Sequence, residues 1–501
     1  MIPEGFSIYD MLVRNAQVFA KRPALIHANG TQTFSQLLER VDALATGLLG
    51  HDLNKGDRVC ILAQNHAAYV ELYFACAKLG LIAYPINWRL SVEEIALIVE
   101  RADPRMMVVD EFTQSQVAQW PGQKKSIPHW AQFGNTAGES FIPFNRLYIE
   151  SGAEPVPEIA ADEGFAVIST AAVDIVPRGA LLTHANLIAS NIQSQALMGL
   201  VEDDVYLIAL PLYHISALAN LLAVMHAGGA GVIMTRFDAD EAVRLVDLHK
   251  VTFFNCFAPV LENTLAAASK AGSKLASIRH ASGLENPEAI KQLIELTGAT
   301  FWAGFGQSET TGFVSLQRLG EKPGAAGRPA PLCRIRLVDE DGQDVPTGEP
   351  GEIIVRGPVV MKGYYGQPEV TAHTFRGGWH HTGDLGKFDA DGYLYYAGRK
   401  PEKELIKPGG ENVYPAEVER VIAELDGVKA VCVFGVPDQQ WGEAIKAIVE
   451  TEGGLEAQAV IDHVGGRIAR FKKPKFVEFT NALPRTASGE VDRPAVKAQW
   501  G

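Results

Sequence analysis

Apolar and polar positions in the first 110 residues switch between helical and strand spacing. Leu37, Leu38, Val41 and Leu44 recur at helical spacing and line one face of a predicted helix. That helix opens at Thr33-Phe-Ser-Gln36, and another opens at Ser91-Val-Glu-Glu94. Both are capping-box patterns, in which two side chains and two backbone N–H groups satisfy each other at a helix start. Arg58-Val-Cys-Ile-Leu62 and Met106-Met-Val-Val-Asp110 are short apolar runs that read as buried strands. Strand–helix alternation predicts parallel α/β sheets with right-handed crossovers. The rhythm returns from Val201 to Phe305, which predicts a second α/β sheet in the same large unit.

Residues 112–163 are irregular, rich in Pro, Gly and Gln, and carry no evident chemistry. From Gly324 the texture changes to turn-punctuated strands: Arg334-Ile-Arg-Leu-Val338, a turn at Asp341-Gly342, then Gly351-Glu-Ile-Ile-Val-Arg356. Such texture predicts a β-barrel-like or meander subdomain over about residues 324–399. A charged stretch follows Gly398-Arg399 and leads into about a hundred residues of mixed helix and strand pattern. The expected organisation is a large unit over 1–399, a hinge at 400–403, and a small mobile α+β lid over 404–501. The longest apolar region, Leu207 to Met234, is broken by Pro211, His214, Asn220, His226 and three glycines. It reads as strand, loop, helix and strand rather than a membrane span.

A chain of 501 residues exceeds what one core usually supports. Its 47% hydrophobic and 21% charged content is that of a globular enzyme rather than a disordered chain. The formal charge of −14 argues against a general nucleic-acid binder, which needs a basic face. Five scattered cysteines without a CxxC pair indicate neither zinc site nor disulfide framework. The N-terminus lacks a basic stretch and apolar run, so no secretory signal is read there and a cytoplasmic setting is expected.

Chemistry concentrates in separated motifs. They are Pro211-Leu-Tyr-His214, Gly304-Phe-Gly-Gln-Ser-Glu309-Thr-Thr-Gly312, Gly378-Trp-His-His-Thr-Gly-Asp384 and Gly398-Arg399. Lys407-Pro-Gly-Gly-Glu-Asn412-Val-Tyr-Pro415 and Leu483-Pro-Arg-Thr-Ala-Ser-Gly-Glu490 complete the set. An aspartate can accept from both hydroxyls of a ribose, and an arginine adds charge-assisted contacts. Paired glycines allow close backbone approach to a thin substrate. Pro415 suits the first turn of a helix carrying Glu417 and Glu419. Taken alone, several of these have plain structural readings: a histidine in an apolar run is often a core histidine, and Thr-Gly-Asp is a common turn.

Together and in this order they resemble the adenylate-forming enzymes, the group of acyl-CoA synthetases, luciferases and peptide-synthetase adenylation domains. The resemblance spans most of the chain. It implies ATP/AMP, Mg2+ and coenzyme A as cofactors, with a small carboxylic acid as substrate; a homodimer is left open. It assigns nucleotide contacts to Thr170, Arg178, Gly306, Gln307, Ser308, Asp384 and Arg399, and the metal to Glu309. His214 would shape the carboxylate pocket, and Gly409, Gly410, Glu411 and Asn412 would border the pantetheine path. Gly306 occupies a place where relatives specialised for acetate carry a bulky tryptophan, which implies a longer acyl pocket. Leu218, Phe253, Phe257 and Phe313 suggest an apolar acyl group, although such residues are commonly core.

Three segments depart from the family pattern, and the first is the hinge, where Gly398-Arg-Lys-Pro-Glu-Lys-Glu-Leu-Ile-Lys407 is longer than the usual Gly-Arg-x-Lys-Asp-x-Ile-Lys. The phosphate loop, roughly Thr-Ser-Gly-Thr-Thr-Gly-x-Pro-Lys-Gly in relatives, reads Thr170-Ala-Ala-Val-Asp-Ile-Val-Pro-Arg178-Gly179. Its inner glycines and hydroxyls, which let a backbone curl round phosphate and donate to it, are absent. At the family's catalytic lysine stands Glu490. A charge about 4 Å from phosphate is worth roughly 4 kcal/mol at an effective dielectric of about 20, so reversing its sign weighs on adenylation. Arg178 and Arg485 are the candidate substitutes. The expected function is an ATP-dependent acyl-CoA synthetase for a medium- or long-chain or aromatic acid. The alternatives are an adenylation-impaired protein that binds acyl-adenylate or acyl-CoA, and an adenylation partner of a carrier protein.

Overall fold

The computed structural model describes residues 5–118, 120, 127–138, 140–150, 157–170, 178–400, 404–486 and 489–501. Both capping boxes form. Thr33 and Gln36 exchange side-chain and backbone hydrogen bonds to open the helix Phe34–Leu49. Ser91 and Glu94 do the same for Val92–Ala102. Leu37, Val41 and Leu44 are buried, and Leu38 packs at the margin of the same core.

Strands Arg58–Leu62 and Met106–Val109 pair in parallel at the centre of an eight-stranded sheet. Ile82–Pro85, Gly164–Ser169, Gly179–Thr183 and Gly363–Tyr364 extend it on one side. His129–Gln132 and Ile142–Pro143 extend it on the other. The stretch read as irregular therefore supplies two edge strands. They are too short to show a period in a Pro- and Gly-rich sequence.

The expected second sheet is present with nine strands. Its middle is the parallel run Ala230–Ile233, Val205–Ile208, Phe253–Phe257, His280–Leu284 and Thr300–Gln307. The hairpin Pro23–His27 and Gly30–Thr33 closes one edge, and the antiparallel Gly312–Arg318 and Arg328–Pro329 close the other. Helix Ala67–Leu79 buries every residue but Lys78, as a helix enclosed on all sides must. One core joins the sheets: Val59 and Ile61 from the first share a cluster with Tyr206 and Ile208 from the second. Each fully buried side chain of this kind contributes about 2 kcal/mol before conformational entropy is counted.

The turn-punctuated region forms strands Arg334–Val338, Gly351–Arg356, His380–Phe388 and Leu394–Arg399, each antiparallel to the next. Among the described residues this is an open sheet, not a barrel. Its apolar residues Leu337, Ile353, Val355 and Leu394 pack on Phe305 and Val314 of the nine-stranded sheet instead of on each other across a closed ring. The C-terminal part is a three-stranded sheet, Val428–Asp438, Gly442–Thr451 and Phe476–Thr480, with helices Pro415–Ile422, Ala457–Gly465 and Arg493–Trp500. Pro415 sits in the first turn of its helix, where its missing N–H costs nothing.

The apolar stretch 207–234 resolves into strand Val205–Ile208, helix Ile215–His226 and strand Ala230–Ile233. No helix among the described residues is long and apolar enough to cross a membrane. All five cysteines are free and buried.

Candidate active site

A cleft of about 2410 Å³ runs between the C-terminal part and the rest of the molecule. That volume exceeds the ~300–1,000 Å³ of a single small-ligand pocket and has room for several ligand parts.

The hairpin of His380–Phe388 and Leu394–Arg399 fixes one wall. Its register sets Asp384 directly opposite Arg399, and Arg399 Nε donates to Asp384 Oδ1 at 2.8 Å. Tyr396 donates its hydroxyl to the same oxygen at 3.3 Å, and Gln307 Nε2 donates to Oδ2. Asp384 is buried and both of its oxygens are held. Gln307 also donates to the Thr382 carbonyl at 3.1 Å, which ties the two motifs read separately in the sequence.

Gly306 and Ser308 line the cleft beside Gln307. A Cβ on Gly306 would stand 2.0 Å from the Gly312 carbonyl oxygen, and one on Gly304 2.4 Å from that of Ser315. Both positions therefore require glycine for the close pairing with Gly312–Arg318, quite apart from any ligand. Glu309 follows, largely buried, its Oε1 accepting from the Tyr364 hydroxyl at 2.9 Å. The Arg178 guanidinium lies 5.5 Å from the centre of the Tyr364 ring and does not itself line the cleft. Thr170 lines the cleft and donates its N–H to the Arg178 carbonyl at 2.7 Å. The seven residues between them, which carry the altered phosphate loop, lie outside the described residues, as do 401–403 of the expected hinge.

The opposite wall is built by the segment after Lys407. Gly409 and Gly410 adopt φ of +58° and +82°. A Cβ would meet the Trp441 ring at 2.9 Å from Gly409 and the Phe257 side chain at 3.0 Å from Gly410. Positive φ and tight contact together explain the glycine pair. Glu411 then enters a buried polar cluster. Arg89 Nη1 donates to its Oε1 at 2.6 Å and Asn87 Nδ2 to its Oε2 at 3.0 Å. His214 Nε2 stands 3.5 Å from Oε1. Burial alone would raise the Glu411 carboxyl, but the charges and hydrogen bonds of His214 and Arg89 hold it at about 2. Asn412 is exposed at the cleft border. Lys407 also lines the cleft, its ammonium shifted downward by burial and by Arg399.

The structure thus gathers His214, Glu309, Thr170, Gly306, Gln307, Ser308, Asp384, Arg399 and the segment 409–412 around one cleft. Glu490 stands apart. It is exposed, does not line the cleft, and its backbone oxygen accepts from Thr486 N at 2.8 Å. Arg485 is engaged within the C-terminal sheet, donating to Glu450 Oε2 at 2.9 Å. Phe257 and Phe313 line the cleft, whereas Leu218 and Phe253 are buried in the main core. Hydrophobicity alone does not separate pocket from core. Asn87, Arg89, Tyr364 and Tyr396 were missed. Arg89 lies just before a capping box, but nothing local marks it as the partner of a residue 322 positions away.

Fold and cleft define an adenylate-forming, acyl-CoA-synthetase-like protein. The profile of the AMP-binding enzymes matches residues 12–365, and that of the AMP-binding enzyme C-terminal domain matches residues 417–490. The chain belongs to the AMP-binding enzyme family. It is 34% identical over 499 residues to a feruloyl-CoA synthase of an Amycolatopsis species, covering 98% of each chain. A solved structure from Rhodopseudomonas palustris, provisionally named a long-chain-fatty-acid CoA ligase, is 41% identical with a TM-score of 0.74. It covers 79% of this chain and 99% of that one. A double mutant of o-succinylbenzoate CoA synthetase from Bacillus subtilis, bound to its product analogue, matches with a TM-score of 0.83 and 29% identity over 99% of each chain.

Proposed function

We propose that the chain is an ATP-dependent acyl-CoA synthetase acting on an aromatic acid. The acid carboxylate would attack the α-phosphate of ATP and release pyrophosphate. The thiol of coenzyme A would then attack the acyl carbon and release AMP. The observation that carries this reading is the seating of Gly409–Asn412 in the cleft, opposite the Asp384–Arg399 pair. Gly409, Gly410, Asp384 and Arg399 line the same cleft, which supports reading the glycines as the pantetheine side and the Asp384 carboxylate as the ribose side.

In this reading Asp384 and Arg399 hold the ribose, Gly306, Gln307 and Ser308 border the base, and Thr170 and Arg178 face the phosphates. In the same reading Glu309 would be the carboxylate that holds Mg2+. A hard cation that keeps waters and phosphate oxygens needs no larger protein cage. His214 borders the acyl carbon, and Gly409 and Gly410 pass the pantetheine arm. The division into units 1–399 and 404–501 about a hinge at 400–403 belongs to the same proposal. Free, buried cysteines fit a reducing, cytoplasmic setting.

Named relatives cover aryl and long-chain acids. An aromatic acid is favoured by Asn255 on the cleft wall, whose buried Oδ1 has no partner among the described residues and which a long alkyl chain would leave unsatisfied.

The test is AMP release with ATP, Mg2+, coenzyme A and a panel of aryl and alkyl acids. Acid-dependent release with the aryl members is expected. A second reading, favoured by Glu490, keeps only thioester formation from a ready-made acyl-adenylate. It predicts no AMP release from ATP but full turnover of synthetic acyl-AMP. Failure of both assays overturns the synthetase assignment, and turnover with a carrier protein but not with free coenzyme A assigns the acceptor differently.

A further inference from the structure

Strand Phe253–Phe257 carries one polar side chain among four apolar or weakly polar ones. Phe254 and Cys256 point into the core behind the nine-stranded sheet, and the alternation turns Asn255 and Phe257 to the other face. Asn255 is 2% exposed and lines the cleft. Its register partner is Ser282 on the neighbouring strand. Asn255 Nδ2 donates to the Ser282 carbonyl at 3.1 Å and to Ser282 Oγ at 2.8 Å. A carbonyl only accepts, so the amide end beside it must be the NH2, and the orientation of the side chain is fixed. The remaining atom, Oδ1, is a buried acceptor with no partner among the described residues. Native structures rarely tolerate such an atom without a purpose.

A second unmatched group lies on the same face. His280 is the diagonal neighbour of Asn255, two residues before Ser282. Its Nδ1 accepts from Trp302 Nε1 at 3.2 Å, which puts the ring proton on Nε2. That Nε2 is also buried and has no partner among the described residues, but His280 does not line the cleft, so Asn255 Oδ1 is the atom open to a ligand.

Depth supplies the rest of the argument. Phe257, at the mouth, touches the segment of Gly410. Asn255 lies two residues deeper, about 6.6 Å along the strand, which is the reach of a single aromatic ring.

We propose that Asn255 reads a hydrogen-bond donor, a hydroxyl or a ring N–H, on the end of the aromatic acid remote from its carboxylate. The substrate is then a hydroxylated or N–H-bearing aryl acid, and Asn255 is a specificity residue. Either group donates to Asn255 Oδ1.

This inference rests on the synthetase reading, and its test separates the two. Synthetic acyl-adenylates are offered to the whole chain with coenzyme A, so that the outcome does not depend on adenylation. The pairs are a para-hydroxycinnamoyl adenylate with its deoxy counterpart, and an indole-acyl adenylate with its benzothiophene isostere. The donor-bearing member is expected to show a kcat/KM about 10- to 100-fold higher than its partner. Preference in the first pair alone assigns the hydroxyl, and preference in the second assigns the ring N–H. In Asn255→Leu the preference, read as the ratio of the two kcat/KM values, should collapse to about threefold or less. Equal use of both members by the unaltered chain overturns the inference, because a water then serves Oδ1. So does a preference that survives in Asn255→Leu. No thioester from any adenylate overturns the synthetase reading instead. The paired-substrate comparison stands even if the variant does not fold.

Discussion

Arg89 and Glu411 meet at 2.6 Å although 322 residues separate them, the first following a strand of the eight-stranded sheet and the second in the glycine segment of the C-terminal part. The pair exists only while residues 407–412 sit in the cleft. Asn87 and His214 complete the enclosure of Glu411, which ties the C-terminal part to the cleft wall.

Replacing Arg89 by Met leaves the Glu411 carboxylate buried with weaker compensation. Truncating one partner of a buried charge pair costs about 2–5 kcal/mol, and the lower end applies because Arg89 is 37% exposed. Thioester formation from acyl-adenylate is expected to slow about 30-fold. Nucleotide affinity, which the proposal places at Asp384 and Arg399, should hardly change, since neither touches this cluster. Equal loss in thioester formation and in AMP affinity would show that Arg89 supports the fold rather than the seating.

Two carboxyls give the protein opposite responses to pH. Glu411 is held at about 2 against an ordinary value of 4.5, burial being outweighed by His214 and Arg89. The folded state binds this proton less readily than the unfolded chain, so the stabilisation is complete above pH 4.5 and fades as pH falls towards 2. Glu285 is raised by burial from 4.5 to about 7. Its contribution is complete below pH 4.5 and is lost as pH rises to 7, a change of about 3 kcal/mol. Glu285→Gln is therefore expected to flatten the fall in Tm between pH 4.5 and 7, and Glu411→Gln to flatten the acid limb. Thermal melts across pH 2–8 check both, and an unchanged slope in Glu285→Gln would mean that this carboxyl ionises normally.

These residues show what the sequence makes legible. Asp384 and Arg399 belong to one hairpin whose turn at Gly392 and alternating strands are local, so their partnership could be read from spacing. The capping boxes were equally local. Arg89 and Asn87 were not legible, because their partner arrives with another part of the chain. Asn255 was hidden for a different reason: its strand reads as apolar, and an unmatched acceptor appears only after every neighbour's hydrogen bonds are counted. Of the barrel-like and meander forms expected after Gly324, the open meander is the one formed, because turn residues announce hairpins but say nothing about closure.

Lys472 joins the C-terminal part to the rest of the molecule in a second place. Its ammonium bridges Glu94 and Glu417, and all three side chains are at least nine-tenths buried. Glu94 also closes the capping box at Ser91 and accepts the Ala469 N–H at 3.0 Å. Lys472→Met leaves two carboxylates facing each other, and breaking a buried pair of this kind costs about 3–5 kcal/mol. A lower Tm and faster hydrogen exchange in Ala457–Gly465 are expected. Adding Glu94→Gln should restore part of the loss, because one of the two unpaired charges is removed. A double variant worse than the sum of the singles would show that Glu94 matters through its helix cap instead.

On the proposed function, Glu490 bears on the first of the two chemical steps. In the assembled cleft it is exposed and lines no wall, so its charge does not oppose thioester formation. Adenylation by a lysine at this position would require the C-terminal part to turn and bring it to the phosphates, and a carboxylate brought there would repel them. At about 4 Å and a dielectric of about 20 each charge is worth roughly 4 kcal/mol, which is about three decades in rate. Glu490→Lys is therefore expected to raise ATP–pyrophosphate exchange by at least about 100-fold. Thioester formation from synthetic acyl-adenylate should stay within about twofold, since no contact of Glu490 is lost from the cleft. Both rates can be measured on the same preparation. An exchange rate that does not move would show that the altered loop between Thr170 and Arg178, and not Glu490, limits the first step. In that case the loop glycines are the residues to restore.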